Sequence, residues 1–538
     1  MAEVQAFPTM DISGVLPLFF RAVELRVQGQ LAEAIACLDE ALELSPAFIP
    51  CYLERGLMLS ESGRHDKALR DIDHFLKLAP ASPDIEAQRR QILANAHQQL
   101  DDILREQPES LPARQQRADL HLTTGRFAEA VQECQTILAA APCQVEAWNT
   151  LGSALLAMDR PEKALLAYEN ALGRNPSRAE LWFNLGNTRQ QLGKLSAAIE
   201  AYQSALDLAP TLAEAHMEIG HCHLLRGNFR AGWPGLEFRW QTGQMKPFHL
   251  PTDRPLWIGQ TTEAWPIVSA SSTTRNIRDK TLLVWAEQGL GDSLQFIRFV
   301  PDLVDLAGQV ILRVQKPLQG LLEPLLENVR VIGNDAPIPR HDAHCPLLSL
   351  PLALGVFTIP ESDRYLKAAP KKVMEWQARL GKKRRLRVGL TWAGRQFGQP
   401  NRTRDIPLVC MAPLLQLAMD FISLQPEVPA PDRPLLAQLP ALRCQEPRFA
   451  DFSETAALIE NLDLVISADT AVAHLAGALG KPCWLLLRHA SEWRWQRDRP
   501  DSPWYPSTRI FRQPTPGDWD GVIAKVMEAL SETSRIGG

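Results

Sequence analysis

The chain has 538 residues, 45% hydrophobic and 22% charged, and its 57 basic against 62 acidic side chains leave a formal charge of −5. At about 150 residues per domain, that length predicts three to four packing units with ordinary cores, which excludes a small disulfide-stapled scaffold and a wholly disordered chain. The acidic balance argues against coating of nucleic acid, which needs a basic surface.

The nine cysteines form no Cys-x-x-Cys pair and are odd in number, so they read as reduced thiols of a cytoplasmic protein. The N-terminus, MAEVQAFPTMDIS, has no basic stretch leading into an apolar one, and no window reaches about 18 uninterrupted apolar residues. The longest candidate, 464–487, is broken by Asp469, His474 and Lys481. The expectation is a soluble chain with no signal peptide or transmembrane segment.

Prolines stand at 46, 80, 108, 142, 176 and 210, spaced 34, 28, 34, 34 and 34 residues apart. A fixed period of that size signals a repeat architecture. Trp148, Leu151, Gly152, Ala164, Tyr168, Ala171 and Pro176 recur 34 residues later as Trp182, Leu185, Gly186, Ala198, Tyr202, Ala205 and Pro210. The pattern predicts two antiparallel helices per unit, with small residues where they cross, large residues filling the space between units, and proline ending the second helix. These residues resemble the tetratricopeptide repeat family over 14–240. Six units are expected, the one ending at Pro108 being short, and a further pair with Ile219 and Gly220 in register is expected to cap the array. Stacked repeats of this kind present a concave face that binds peptides or proteins. Close His and Cys residues in GHCH (220–223) and HDAHC (341–345) lack the spacing of a closed zinc site and read as core or loop residues.

After Trp257 the texture changes. The polar stretch 261–280 reads as a loop, and 241–280 as a linker. From 281 onward short apolar runs (TLLVWAE, QVILRVQ, RVGLTW, FISLQ, LDLVISAD, CWLLL) alternate with amphipathic stretches. That rhythm predicts parallel sheets covered by helices in two Rossmann-like lobes, 281–380 and 381–538. Ligands of such sheets sit at the carboxyl ends of the strands, which directs attention to the loops 287–293, 392–407 and 468–474.

The first of these, EQGLGDS, has Gly289 and Gly291, but Leu294 stands where a dinucleotide fingerprint needs its third glycine. It reads instead as a tight turn presenting Asp292, either as a general base or as a cap on a helix beginning at Ser293. The loop GRQFGQP (394–400) lacks GK[ST] and is no Walker loop, and KKRRLR (382–387) reads as a solvated linker. In SADTAVAHLAGALGKP (467–482), Asp469 and Thr470 open a helix whose free N–H groups suit a phosphate, with Thr470 and His474 facing the same place. A simple capped helix packed on a sheet is the alternative.

EQGLGDSLQF, RVGLTWAG with NRTRDIPL, FISLQ and DLVISADTAVAHLAGALGKP, followed by WRWQRD and SPWYP, resemble bacterial proteins that join tetratricopeptide repeats to a GT-B glycosyltransferase domain. The C-terminal half is similar to the ADP-heptose:lipopolysaccharide heptosyltransferase family. The layout is similar to protein O-glycosyltransferases such as O-GlcNAc transferase and flagellin glycosyltransferases. The resemblance implies that Asp292, behind Gly291, is the catalytic base, and that Asp469, Thr470, Ala471 and His474 form the donor-phosphate turn, with Ala471 departing from the family's glycine. It further implies a second-lobe basic group at Arg402 or Arg404.

The resulting expectation is an α-solenoid followed by an α/β GT-B domain: an inverting, metal-independent transferase that uses a nucleotide sugar as substrate and no cofactor. Asp292 would deprotonate the acceptor hydroxyl beside the loop residues Gln288, Gly289 and Gly291. Asp469, Thr470, Ala471, Val472, His474 and Arg402 or Arg404 would hold the diphosphate, and Gln425 would contact the nucleoside. The repeats would select a protein acceptor such as flagellin. The rivals are a non-catalytic adaptor with a degenerate GT-B domain, and a transferase with a lipopolysaccharide acceptor.

Overall fold

Each helical pair of the N-terminal half turns on a residue in the left-handed backbone region, where any side chain is strained. In the computed structural model, which describes residues 14–46, 48–78, 83–243, 245, 249–259, 265, 272–360, 363–394, 404–444 and 451–536, these residues are Gly29, Gly63, Gly125, Asp159 and Gly193, with φ of 79°, 77°, 75°, 58° and 73°. They divide the helices α1 (Val15–Val27) from α2 (Leu31–Leu44), and α3 (Pro50–Glu61) from α4 (His65–Leu78). Beyond α5 (Pro83–Glu106), they divide α6 (Leu111–Thr123) from α7 (Phe127–Ala140), α8 (Val145–Ala157) from α9 (Pro161–Arg174), and α10 (Ala179–Gln191) from α11 (Leu195–Leu208). The short unit ending at Pro108 is therefore not a pair. It is the single 24-residue helix α5, with no residue of 83–106 in the left-handed region. Among the described residues the array holds five pairs and one long helix rather than six pairs.

The glycines inside the helices have a packing reason. A Cβ on Gly152 would fall 2.7 Å from the Tyr168 ring and one on Gly186 2.5 Å from Tyr202. Both tyrosines thus fill the crossing within their own pair, not the space between pairs as expected. Contacts running from one unit to the next come from other rings. Tyr52, Trp148 and Trp182 donate to the carbonyls of Pro46, Pro142 and Pro176 at 3.1, 2.9 and 2.8 Å, just past the ends of the preceding helices. Arg55 and Arg117 add ion pairs to carboxylates sixteen residues to either side, Asp39 and Asp71 for the first, Asp101 and Glu133 for the second.

The chain divides into two compact units, Met1–Ala215 with Arg239–Thr252, and His216–Phe238 with Asp253–Gly538. The expected capping pair, α12 (Ala213–Leu225) and α13 (Phe229–Glu237), therefore lies mostly in the second unit. The reason is apolar. Trp233 of α13 meets Phe296, Trp493 and Trp504 at ring separations of 6.1, 5.5 and 6.4 Å, and its N–H donates to the Val356 carbonyl at 2.9 Å.

Two all-parallel sheets build the rest of the second unit. The first contains β1 (Leu256–Trp257), β2 (Thr273–Thr274), β3 (Thr281–Trp285), β4 (Gln309–Val314), β5 (Val329–Gly333) and β6 (Ala343–Pro346), in the order β2-β1-β6-β3-β4-β5. Helices α14 (Leu290–Phe296), α15 (Lys316–Leu322), α16 (Leu350–Leu354) and α17 (Pro370–Leu380) accompany it. The expected linker 241–280 is corrected here, since β1 and β2 belong to the sheet. Strands of two residues carry no periodicity and exist only because β6 offers an edge. Within 261–280, residues 261–264 and 266–271 lie outside the described residues.

The second sheet contains β7 (Arg387–Thr391), β8 (Asp420–Ser423), β9 (Leu442–Arg443), β10 (Leu464–Ala468), β11 (Cys483–Leu487) and β12 (Thr508–Arg512), in the order β12-β11-β10-β7-β8-β9. Its helices are α18 (Leu408–Met411), α19 (Arg433–Leu436), α20 (Phe452–Glu460), α21 (Ala471–Ala478) and α22 (Trp519–Ile536). Val388, Leu390, Phe421, Ile466 and Leu486 pack against Val522, Val526 and Leu530 of α22. Every residue of β10 is buried, as a central parallel strand requires. In each sheet the strand order reverses once, between β3 and β6 and between β7 and β10, which opens a crevice at the strand ends. This is the two-lobed architecture expected of a GT-B domain.

Gly186→Ala is expected to destabilise the repeats by about 1–3 kcal/mol through overpacking against Tyr202. In urea unfolding, adding Tyr202→Leu should recover part of that loss, whereas additive losses would show that the ring and the glycine do not meet.

Candidate active site at the facing strand ends

The chain leaves β3 at Trp285 and enters α14 with Gly289 as its N-cap, so the helix begins at Leu290 rather than at Ser293. Asp292 occupies the third helical position, and its Oδ2 accepts the Gly289 N–H at 2.8 Å. The capping role is therefore real for one oxygen. Oδ1 accepts from Nη2 of Arg494, a residue of the second lobe. Arg494 is 8% exposed, donates to Glu492 Oε2 and Gln295 Oε1 at 2.8 Å each, and lies 4.4 Å over the Trp493 ring. Burial pushes the Asp292 carboxyl above its ordinary range; Arg494 opposes that shift, Glu492 adds to it, and the Gly289 N–H and Arg404 oppose it.

The glycine before Asp292 is required by a close approach. A Cβ on Gly291 would lie 2.8 Å from His474 Cδ2 and 3.6 Å from Ala471 Cα, so α14 of one lobe meets α21 of the other there. The turn is pinned from β4's end, where Gln315 donates to the Gln288 carbonyl at 2.6 Å and accepts the Ser293 hydroxyl at 2.8 Å.

On the opposite side, Thr470 caps α21, its hydroxyl accepting the Val472 N–H at 3.3 Å and lying 3.2 Å from Ser467 Oγ. The Thr470 hydroxyl and the Val472 N–H, both expected at the donor phosphate, here engage each other. His474 is buried, with Nδ1 2.9 Å from the Tyr505 hydroxyl and its ring 5.0 Å from Trp495. Burial first, then Arg494, Arg298 and Arg404, hold its pKa well below the usual value, so the ring contributes shape and no charge. Asp469 lines a pocket with Arg404, Leu486, Leu487, Arg488, Ser491 and Glu492. Burial, then Glu492, push its carboxyl up to about 6, against the pull of Arg404. For Glu492 burial acts upward too, but Arg494 and Arg404 hold it below its ordinary value.

Of the two candidate arginines, Arg402 lies outside the described residues. Arg404 stands in the pocket, its buried Nε making no hydrogen bond among the described residues. Gln425 is corrected. Its Oε1 accepts from Thr391, Trp392 and Ala393 at 3.0, 3.1 and 3.1 Å, and its Nε2 donates to the carbonyls of Ala393 and Glu427 at 2.9 and 2.8 Å. It clamps the β7 and β8 ends together and has nothing left for a nucleoside. The histidine motifs are structural, His344 pairing with the Trp285 N–H at 3.3 Å and His221 with Glu218 at 3.3 Å. Sequence reasoning missed Arg494, Glu492 and Arg488. The one available signal was an arginine between two tryptophans at 493–495.

Residues 18–48, 85–143, 149–213 and 187–231 match tetratricopeptide repeat families, and residues 449–521 match glycosyltransferase family 9 (heptosyltransferase). The chain is thus similar to tetratricopeptide repeat proteins in its N-terminal part and to glycosyltransferase family 9 over 449–521. The second match includes Asp469, His474, Glu492 and Arg494 and does not extend to Asp292. Protein FlbA of Caulobacter vibrioides is 26% identical over 338 residues, covering 57% of this chain and 53% of that protein, so the chain spans about half the length of the curated relative it matches. Among solved structures, a crystal structure of MamA is 17% identical with a TM-score of 0.21, covering 38% of this chain and 97% of that one. A thermophilic TPR protein of Thermus thermophilus is 14% identical with a TM-score of 0.24, covering 39% and 99%. Among the described residues no helix is long and apolar enough to cross a membrane.

Because the folded Asp469 carboxyl titrates near 6, above its unfolded value, its ionisation opposes folding at neutral pH, and that cost disappears once both states are protonated. Asp469→Asn should therefore raise the melting midpoint at pH 7.5 by a few degrees, and the gain should shrink to nothing by about pH 3. A gain that is constant with pH would assign the effect to something other than ionisation.

Proposed function

We propose that the second unit transfers a glycosyl group from a nucleotide sugar to an acceptor hydroxyl, and that the repeats select a protein as acceptor. The observation that carries this reading is the meeting of two strand-end crevices at Gly291 and His474, with a carboxylate on one side and a pocket holding Arg404 and Arg488 on the other. The family 9 match over the pocket side supports it.

In this reading Asp292 takes the acceptor's proton, and the acceptor oxygen bonds to the anomeric carbon as the bond from that carbon to the donor phosphate breaks. A single displacement inverts the anomeric centre. The departing phosphate gains negative charge, which Arg404, Arg488 and the N-terminal end of α21 stabilise with fixed groups, so the chemistry is assigned to the chain without a metal. The acceptor class proposed from the repeats is a protein, flagellin being one candidate.

A non-catalytic adaptor is the second reading, favoured by the two internal partners of Asp292 and by Ala471 in place of glycine. Asp292→Asn separates the two. The substitution should lower turnover on the order of 10²–10⁴-fold while leaving the melting shift produced by the nucleotide intact. Full transfer by the variant, followed on intact acceptor protein, overturns the assignment of the base. Flat melting curves with UDP, ADP and CMP species and their sugars favour the adaptor.

A further inference from the structure

We propose that Arg494 is the positioning residue for Asp292, holding the base at the angle it needs by a tether that runs from the second sheet to the first. This rests on the reading of Asp292 as the base.

The geometry is that of a fixed bracket. Arg494 uses three different nitrogens on three acceptors: Nη2 on Asp292, Nε on Gln295 and Nη1 on Glu492. Only a planar guanidinium can address all three at once, since a lysine ammonium is a single point on a flexible stem. The group is 8% exposed and rests on the Trp493 ring, so it is held from below as well as from the sides.

Gln295 shows which way the bracket is loaded. Its Oε1 faces Arg494, and its Nε2 is buried with no hydrogen-bond partner among the described residues. An amide left half-satisfied in the interior is costly, and this one is held in that state by the donor it receives. The same edge of the first lobe is fastened again one turn on. Arg298, six residues after Asp292, donates to the Trp504 carbonyl at 3.2 Å and lies over the rings of Tyr365, Trp504 and Tyr505. Asp292, Gln295 and Arg298, spaced by three residues, thus present one stripe to the second lobe.

A simple donor-binding cation would look different. It would line the pocket, as Arg404 does. Arg494 does not line that pocket. Its charge acts on the base, favouring the charged form against burial and Glu492, with Arg404 and the Gly289 N–H acting in the same direction.

The test uses the full chain with Arg494→Met and Arg494→Lys, read in two ways. Hydrogen exchange of the amides of 289–296 should accelerate about tenfold in Arg494→Met, while those of 195–208 stay unchanged. Unchanged exchange at 289–296 overturns the proposal, and this arm needs no substrate. Turnover is then measured with whichever UDP-, GDP-, ADP- or CMP-linked sugar the wild type uses. In Arg494→Met, kcat should fall on the order of 30-fold with the donor KM within about twofold, and the acid limb of the pH profile should move up by about one pH unit. Arg494→Lys should restore the position of the limb and only part of kcat. A loss confined to KM makes Arg494 a donor ligand, and an unchanged kcat makes it structural; either overturns the proposal. If the wild type uses none of these donors, the transferase reading is what fails, and the exchange arm still decides whether Arg494 fixes the turn.

Discussion

The ion pair between Asp292 and Arg494 is the constraint around which the second unit is arranged. It joins a turn after β3 to a loop after β11, and it gives each buried charge an opposite partner. An unpaired buried charge of either sign costs several kcal/mol, so the two loops are bound to one geometry. Gly291 allows α14 to come close enough to α21 for the pair to form, and the tryptophans at 493 and 504, with Trp233 of α13, exclude water from one side of it.

Around that pair the chain collects more negative charge than a phosphate site calls for. Asp292, Asp469 and Glu492 stand near Arg494, Arg404 and Arg488, and the carboxyls resolve the crowding unequally, Asp469 being raised toward neutrality while Glu492 is held ionised. Burial and like charge push one group up where an opposite charge holds its neighbour down. Carboxyls whose ionisation is pushed apart in this way are characteristic of functional sites. His474, kept neutral and wedged between Trp495 and Gly291, supplies a wall of the site rather than a charge.

The repeats follow simpler physics. Positive-φ turns set the helix pairs, glycine–tyrosine crossings set how closely the helices of a pair approach, and ring donors to proline carbonyls link one unit to the next. Asp159 shows that a turn can form without glycine, and between Pro83 and Glu106 no residue enters the left-handed region, so α5 runs on unbroken.

Much of this was legible in the sequence. The 34-residue period of prolines announced the helical pairs, because sterics at a turn and at a crossing act over a few residues and leave a repeated mark. The alternation of apolar runs announced two parallel sheets, and the Gly-Asp and Asp-Thr turns marked strand ends. The two-residue strands β1 and β2, the departure of α12 and α13 from the array, and the saturation of Gln425 left no such mark. Each depends on partners tens of residues away. Arg494 is the clearest case: it lies 202 residues from Asp292, and no spacing along a chain encodes which distant carboxylate a guanidinium will meet. Local backbone chemistry determined the elements, and burial of charge across the fold decided which of their ends became one site.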